Sequence, residues 1–565
     1  VTSRFTILVV AVLVAFALSV LARLRSTRTA VDFQLAGRRV GVITNACAIC
    51  GDYVSAASFL GVAAAVYAIG LDGAWYATGF AAGFLPVLLF IAAPLRRFGD
   101  RSIPDFLGRR FESETVRIIA VAVTQIIILA YLVPQAVGGG LTWELFTDIA
   151  LPGLTPYSTG IVASTVLTGF LVVIGGMRGT TWNQAVQFIV LLGILVWVSL
   201  ALVADGFSYG SAVAELNAQP MLNPDVLEPN GTLTATDNRI TGLPARFAEP
   251  GARYDGIGQF ALMVTLVFGT AGLPHVMNRF FTSPTGRAAR MTTVWVIALI
   301  GVFYAAAVMV GTAARSVLQT QDEAWLESMT VQGVLKTPEH ALLALGRVYG
   351  GEVGLSTVTT GALLAIMSTI GGLLLASSVS WGHDLYERYV NPRANRVEAL
   401  RAGQLAVVIM TVLAAVSAMV LNPARFTGSV PSVVASLVTT AFAVAGCTLT
   451  PALLLAIWSR RITAAGVAVG MVVGAITGLS AVTIGLLGDG TWTLFQTPTV
   501  LLGPVVVTLM MAVSLATRPV PDLATKWMAM HGSAGDRNAE RLARVTVESG
   551  AEWRPTSTSW WVRRS

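Results

Sequence analysis

The chain of 565 residues is 55% hydrophobic and only 12% charged, with a mean hydropathy of +0.71 and a net charge of +7. A soluble core of this length cannot use so much apolar surface, so a water-soluble globular protein is excluded and lipid is the expected solvent. The positive balance sits in short Arg-rich loops, with no basic stripe interleaved with aromatics, and does not point to nucleic acid as a partner.

Apolar runs close to the roughly 20 residues that a helix needs to cross about 30 Å of hydrocarbon recur from Phe5 to Leu515. Runs this long and this poor in charge predict helices, because in lipid each backbone N–H and C=O must be satisfied inside the segment. Thirteen spans are expected, at 5–23, 44–70, 74–95, 118–144, 157–177, 181–204, 256–280, 291–314, 353–381, 402–421, 430–458, 464–487 and 497–516. The first is read as a retained span, since an Arg-rich loop and no small-residue cleavage site follows it.

Lys and Arg in short loops resist translocation, so their alternation sets orientation. Arg23, Arg25, Arg28, Arg38 and Arg39 follow the first span, Arg96, Arg97, Arg101, Arg109, Arg110 and Arg117 the third, and Arg279, Arg287 and Arg290 the seventh. Those loops are expected in the cytoplasm. The acidic connections from Asp205 to Asp255 and around Asp322, Glu323, Glu327 and Glu339 are expected outside, with the amino terminus outside and the carboxyl terminus inside. After Arg518 the chain turns polar, and the tail to Ser565 is expected to be a mobile extension whose Trp560, Trp561, Arg563 and Arg564 touch the membrane surface at most. Cys47 and Cys50 form a C-x-x-C inside an apolar helix without the further ligands of a metal or redox site, and are read as packing residues.

Secondary transporters build their sites where helices break at matching positions of two repeats. The second span carries Cys50-Gly51-Asp52-Tyr53-Val54-Ser55-Ala56-Ala57-Ser58, and the seventh carries Phe268-Gly269-Thr270-Ala271-Gly272-Leu273-Pro274-His275. Glycine weakens a helix and proline removes a donor, so both stretches predict interruptions. They stand five spans apart, and an odd offset reverses membrane orientation: the arithmetic of a five-plus-five inverted repeat, spans 2–6 and 7–11. Asp52 strengthens the reading, because an ionisable group at bilayer depth costs about 2.5–3.5 kcal/mol on insertion scales and usually has coupling or structural pairing work to do. In the ninth span Ala365 precedes the hydroxyl pair Ser368 and Thr369. Such a pair either bonds back to carbonyls one turn earlier or, facing a broken helix, supplies oxygen to a hard cation such as sodium.

These residues resemble the sodium:solute symporter family over nearly the whole chain, most closely its cation–acetate symporter branch. The resemblance rests on Phe33-Gln34-Leu35-Ala36-Gly37-Arg38-Arg39, on Gly51 to Gly61, on Gly175-Gly176-Met177 with Thr180-Thr181-Trp182, on Phe268 to His275 with Arg279-Phe280-Phe281, and on His383-Asp384-Leu385-Tyr386. It implies an all-α polytopic protein with about 13 transmembrane helices around a LeuT-type 5+5 inverted-repeat core. The chain then divides into a first helix and loop (1–43), the first repeat (44–204), an extracellular loop (205–255), the second repeat (256–458), two further helices (459–516) and a cytoplasmic tail (517–565). The resemblance also implies a sodium site of three carbonyls, Gly51, Val54 and Ala365, with the hydroxyls of Ser368 and Thr369. Several members carry an Asp at the entry to the sixth span, where this chain reads Trp182-Asn183-Gln184, and Gln184 cannot carry charge.

The expected function is sodium-coupled uptake of a small monocarboxylate such as acetate, propionate or pyruvate across a bacterial inner membrane by alternating access. A small anion near the midplane would turn its carboxylate toward amides at a half-helix start. Ser55, Ser58, Phe268, Gly269 and Thr270 are the expected lining, with Asp52 as a coupling or structural polar group. Proton coupling through Asp52, or sodium symport of another small solute such as an amino acid, stays open. The four His are scattered and form no nucleophile and base pair, which argues against an enzyme.

Overall fold

A computed structural model describes residues 2–24, 35–218, 246–251, 254–321, 323–327, 329–331, 334–421, 432–487, 493–518, 523–538 and 541. Phe33, Gln34, Arg25, Arg28, Asp322, most of the expected extracellular loop and the end of the tail with Trp560, Trp561, Arg563 and Arg564 lie outside the described residues.

Ten helical runs among these residues are long and apolar enough to cross a membrane. Two of them are pairs of crossings. Pro156–Ala204, 49 residues, would be about 73 Å long if straight at about 1.5 Å per residue, but its backbone breaks at Gly176 (φ 54°, ψ −160°). Ala57–Phe98 turns back at Gly70 (φ 64°, ψ −146°), where Gly73 lies directly on the backbone of Ala65 and Val66. Only glycine adopts such angles without strain. With the shorter Thr499–Leu515, each of the thirteen expected spans falls on helix among the described residues. The ninth span begins after a hairpin, absent from the sequence reading, in which Ala341–Val379 doubles back at Gly351 (φ 56°) and brings Gly346 against Gly354. A two-stranded ribbon, Thr330 opposite Leu335 and Val331 opposite Val334, precedes it.

Local chemistry sets several helix starts. Thr155 accepts from the Ser158 amide with Pro156 at the first turn, and Asn395 with Glu398 forms a reciprocal cap. Both expected breaks are present. Val42–Tyr53 stops at Val54, and the chain re-enters helix at Ala56 through a wide π turn, Ala57–Gly61. Gly256–Ala271 stops at Gly272 and restarts at Pro274, which has no amide to leave unpaired.

The loops after odd-numbered spans meet at one end of the molecule. Arg38 pairs with Asp100, Arg96 donates to the carbonyls of Ser283 and Pro284, and Ser102 donates to Asp384 at 2.6 Å. There burial would raise the Asp105 carboxyl, but Arg109, His383 and Arg117 together hold it below the usual carboxylate range. Loops after even-numbered spans meet at the other end, where Asp72 accepts from Gln259 at 2.7 Å and Ser432 donates to Glu339 at 2.9 Å.

The tail departs from expectation. Leu523–His531 is a helix with Met530 fully buried and Lys526 paired to Glu112, and Asp536 binds Arg97 at 3.0 Å and the Gly286 amide at 2.8 Å. Its polar composition hid one buried methionine and the two ion pairs that tie the segment to the loops. Met530→Asp is expected to release residues 523–538, seen as faster proteolytic cleavage there with the membrane spans intact. Unchanged cleavage would mean that the buried methionine does not hold the segment.

Candidate functional site

A helix that ends in mid-membrane strands its last carbonyls. Those of the second span are met by the ninth. The Ser368 hydroxyl shares its single proton between the Gly51 carbonyl at 2.5 Å and the Ala365 carbonyl at 2.9 Å, and the Thr369 hydroxyl donates to the Asp52 carbonyl at 2.8 Å. Four of the five residues expected in the ion site thus form one cluster. The fifth, Val54, is buried at the break with its amide on the Cys50 carbonyl at 2.7 Å, while the Asp52 carbonyl, absent from the sequence reading, takes the Thr369 hydroxyl. All of these residues are at most 2% exposed, apart from the glycine, which is buried as well.

Gln184 of the sixth span backs this cluster. Its Nε2 donates to the Ser368 carbonyl at 2.7 Å, and its own backbone carbonyl lies against Gly51 so closely that a Cβ on residue 51 would overlap it. The Asp52 side chain turns away from the carbonyls and accepts from Arg279 Nε at 3.1 Å. Sequence reading placed Asp52 but missed Arg279 as its partner, because the two stand 227 residues apart.

Beside the break lies an aromatic cluster. Tyr53 packs on Phe84 (ring centroids 4.8 Å apart), Phe80 and Phe442, and Phe442 packs on Tyr131, which in turn meets His275. The Tyr53 hydroxyl donates to the Phe80 carbonyl at 3.0 Å and bonds Thr270 Oγ1 at 2.8 Å, so it ties the second, third and seventh spans together. Tyr53→Phe is expected to lower stability by about 0.5–1.5 kcal/mol, read from the unfolding temperature of the purified protein; no change would show that water already satisfies this hydroxyl.

Of the expected substrate-lining residues, Ser55 lies beside Tyr131, Ser58 bonds the Tyr304 hydroxyl at 2.7 Å, Gly269 is clamped on Phe442, and Thr270 bonds Tyr53. Phe268 departs from the expectation: its side chain is 38% exposed, and only its carbonyl is engaged inward, by Thr450 at 2.5 Å. The helical period puts Gly269 and Thr270 on the inner face and Phe268 off it. At the restart of the second span the Ala56 amide donates to Gln135 Oε1 at 3.0 Å. Gln135 belongs to the fourth span, and no short-range pattern marks it.

Comparison with known proteins bears on the family and the fold of the chain. The model of the sodium:solute symporter family matches residues 33–474. The chain is 30% identical over 466 residues to the uncharacterized symporter YwcA of Bacillus subtilis (strain 168), covering 81% of this chain and 82% of that protein. Its fold is similar to that of a Na+-coupled sialic acid symporter in a substrate-bound outward-open state (TM-score 0.66, 16% identity, 91% of this chain and 98% of the other). It is also similar to that of Mhp1, a nucleobase-cation-symport-1 family transporter, in a closed conformation (TM-score 0.51, 15% identity, 90% and 97%). A broken-helix core, an oxygen cluster suited to a hard cation and a matching family model covering most of the chain lead to one conclusion: the protein belongs to the sodium:solute symporter family, a multi-pass secondary transporter that uses sodium as its coupling ion.

Proposed function

We propose that the chain imports a small monocarboxylate, of the class of acetate, propionate or pyruvate, with sodium bound by Gly51, Val54, Ala365, Ser368 and Thr369. The observation that carries the ion site is the meeting of the Ser368 and Thr369 hydroxyls with carbonyls freed by the broken second span. None of these ligands binds a proton near neutral pH, which favours sodium over the proton as the driving ion. The Asp52 side chain is paired with Arg279 and adds no oxygen to this ligand set.

The substrate class rests on the resemblance to the cation–acetate branch and on scale. Tyr53, Phe80, Phe84, Tyr131 and Phe442 crowd the space between the breaks, and hydroxyls of Ser55, Ser58, Thr270 and Tyr53 supply its polar atoms. Such a place suits a small, singly charged solute better than a dianion. In this reading 44–204 and 256–458 are the inverted repeats, and the loops gathered by Arg38, Arg96 and Asp384 face the cytoplasm with the carboxyl terminus. The cell is bacterial and the membrane its inner one. One sodium with one monoanion is electroneutral, so uptake draws about 1.4 kcal/mol from each tenfold sodium gradient and nothing from the roughly 2.3 kcal/mol that about 100 mV gives a net charge.

Proteoliposomes holding the pure protein should accumulate labelled acetate, propionate or pyruvate under an inward sodium gradient and not under a proton gradient. Accumulation of none of the three would reject the substrate class, and accumulation driven by protons alone would reject the ion site.

A further inference from the structure

Arg279 and Asp52 are 1% and 0% exposed, and the guanidinium is enclosed by acceptors from the second span and from the helix Pro156–Ala204. Nε donates to Asp52 Oδ2 at 3.1 Å; Nη1 donates to Thr181 Oγ1 at 2.8 Å and reaches Met177 Sδ at 3.1 Å; Nη2 donates to Gln184 Oε1. A carboxylate joined by a hydroxyl and an amide oxygen is the donor set of a small hard cation. Here a side chain fills it.

This cage adjoins the sodium cluster through shared residues. Gln184 holds the guanidinium with its oxygen and the Ser368 carbonyl with its nitrogen. Asp52 holds the guanidinium with its side chain, and its backbone carbonyl receives Thr369. The second carboxylate oxygen, Asp52 Oδ1, has no hydrogen-bond partner and rests on Gly372, where any Cβ would overlap it. Stability alone does not account for the pair, since apolar residues of equal volume usually serve a buried site at least as well as two desolvated charges.

We propose that Arg279 is a tethered second cation: its guanidinium fills a cation site made by Asp52, Thr181 and Gln184 and limits the chain to one sodium ion per cycle. The proposal rests on the sodium site described above. Removing the guanidinium leaves a buried carboxylate beside a sodium pathway, and capture of a second small cation restores neutrality. Removing the carboxylate instead leaves an unneutralised positive charge one side chain, Gln184, away from Ser368, which repels the one sodium that binds there.

Equilibrium binding of radioactive sodium to the purified full-length protein in detergent, counted per folded molecule, tests this without any substrate. Wild type should bind one ion and Arg279→Ala two. Asp52→Asn should keep a single site with a dissociation constant raised at least about tenfold, and Asp52→Asn/Arg279→Ala should return both count and affinity toward wild type. A pair that only braces the fold would not produce this reversal. Two ions in wild type, one in Arg279→Ala, or unchanged affinity in Asp52→Asn would each overturn the proposal. Should Arg279→Ala not fold, Asp52→Asn and the double variant decide it. No sodium bound by wild type would reject the sodium site itself, a failure separable from the others because it appears before any substitution.

Discussion

Replacing Ser368 and Thr369 together by alanine is expected to raise the sodium concentration for half-maximal uptake by at least about tenfold, the equivalent of about 1.4 kcal/mol of lost binding. Both hydroxyls sit on carbonyls that the broken second span cannot satisfy itself. The double variant removes two oxygens from the proposed sodium site and at the same time leaves the Gly51 and Asp52 carbonyls buried without these donors. The second effect costs stability, so sodium dependence must be measured on folded protein, with expression and unfolding temperature as controls. An unchanged sodium dependence in protein that folds would place the ion elsewhere.

Gly51→Ala is expected to damage the protein severely, although it adds only one methyl group. A Cβ at residue 51 would overlap the Gln184 backbone carbonyl, and backbone cannot rotate away as a flexible side chain can. The second and sixth spans would have to separate, although Gln184 also holds the Ser368 carbonyl and Arg279. Overpacking of this kind costs about 1–3 kcal/mol where neighbours can shift, and here it would also pull the Gly51 carbonyl away from Ser368. Loss of sodium-driven uptake together with a lowered unfolding temperature is the expected result. Normal uptake would show that the two helices are not in close contact during the cycle.

Much of this could be read without coordinates because the bilayer imposes its demands locally. A span must be long and apolar, a break must carry glycine or proline, and arginines in short loops alternate sides. The Gly51-Asp52 and Gly272-Leu273-Pro274 stretches therefore announced their interruptions, and Ser368-Thr369 stood out as hydroxyls in an apolar run. Arg279 carried no such mark. Lying past the break, it was assigned to a cytoplasmic loop, yet its side chain turns back to Asp52. Gln135, Tyr53 and the Asp52 carbonyl were missed for a related reason: each acts through a partner on another helix.

The sequence by itself determined that the chain belongs in lipid, which two helices break, and where a hydroxyl pair stands in an otherwise apolar span. Those properties follow from the composition and period of single segments. Only the tertiary structure decided that Gly51, Asp52 and Ser368 share one cluster, that Asp52 answers to Arg279, that Phe268 faces outward and that part of the tail is docked. Each of these depends on which helix faces which, and helix facing is set by close packing between segments far apart in the chain.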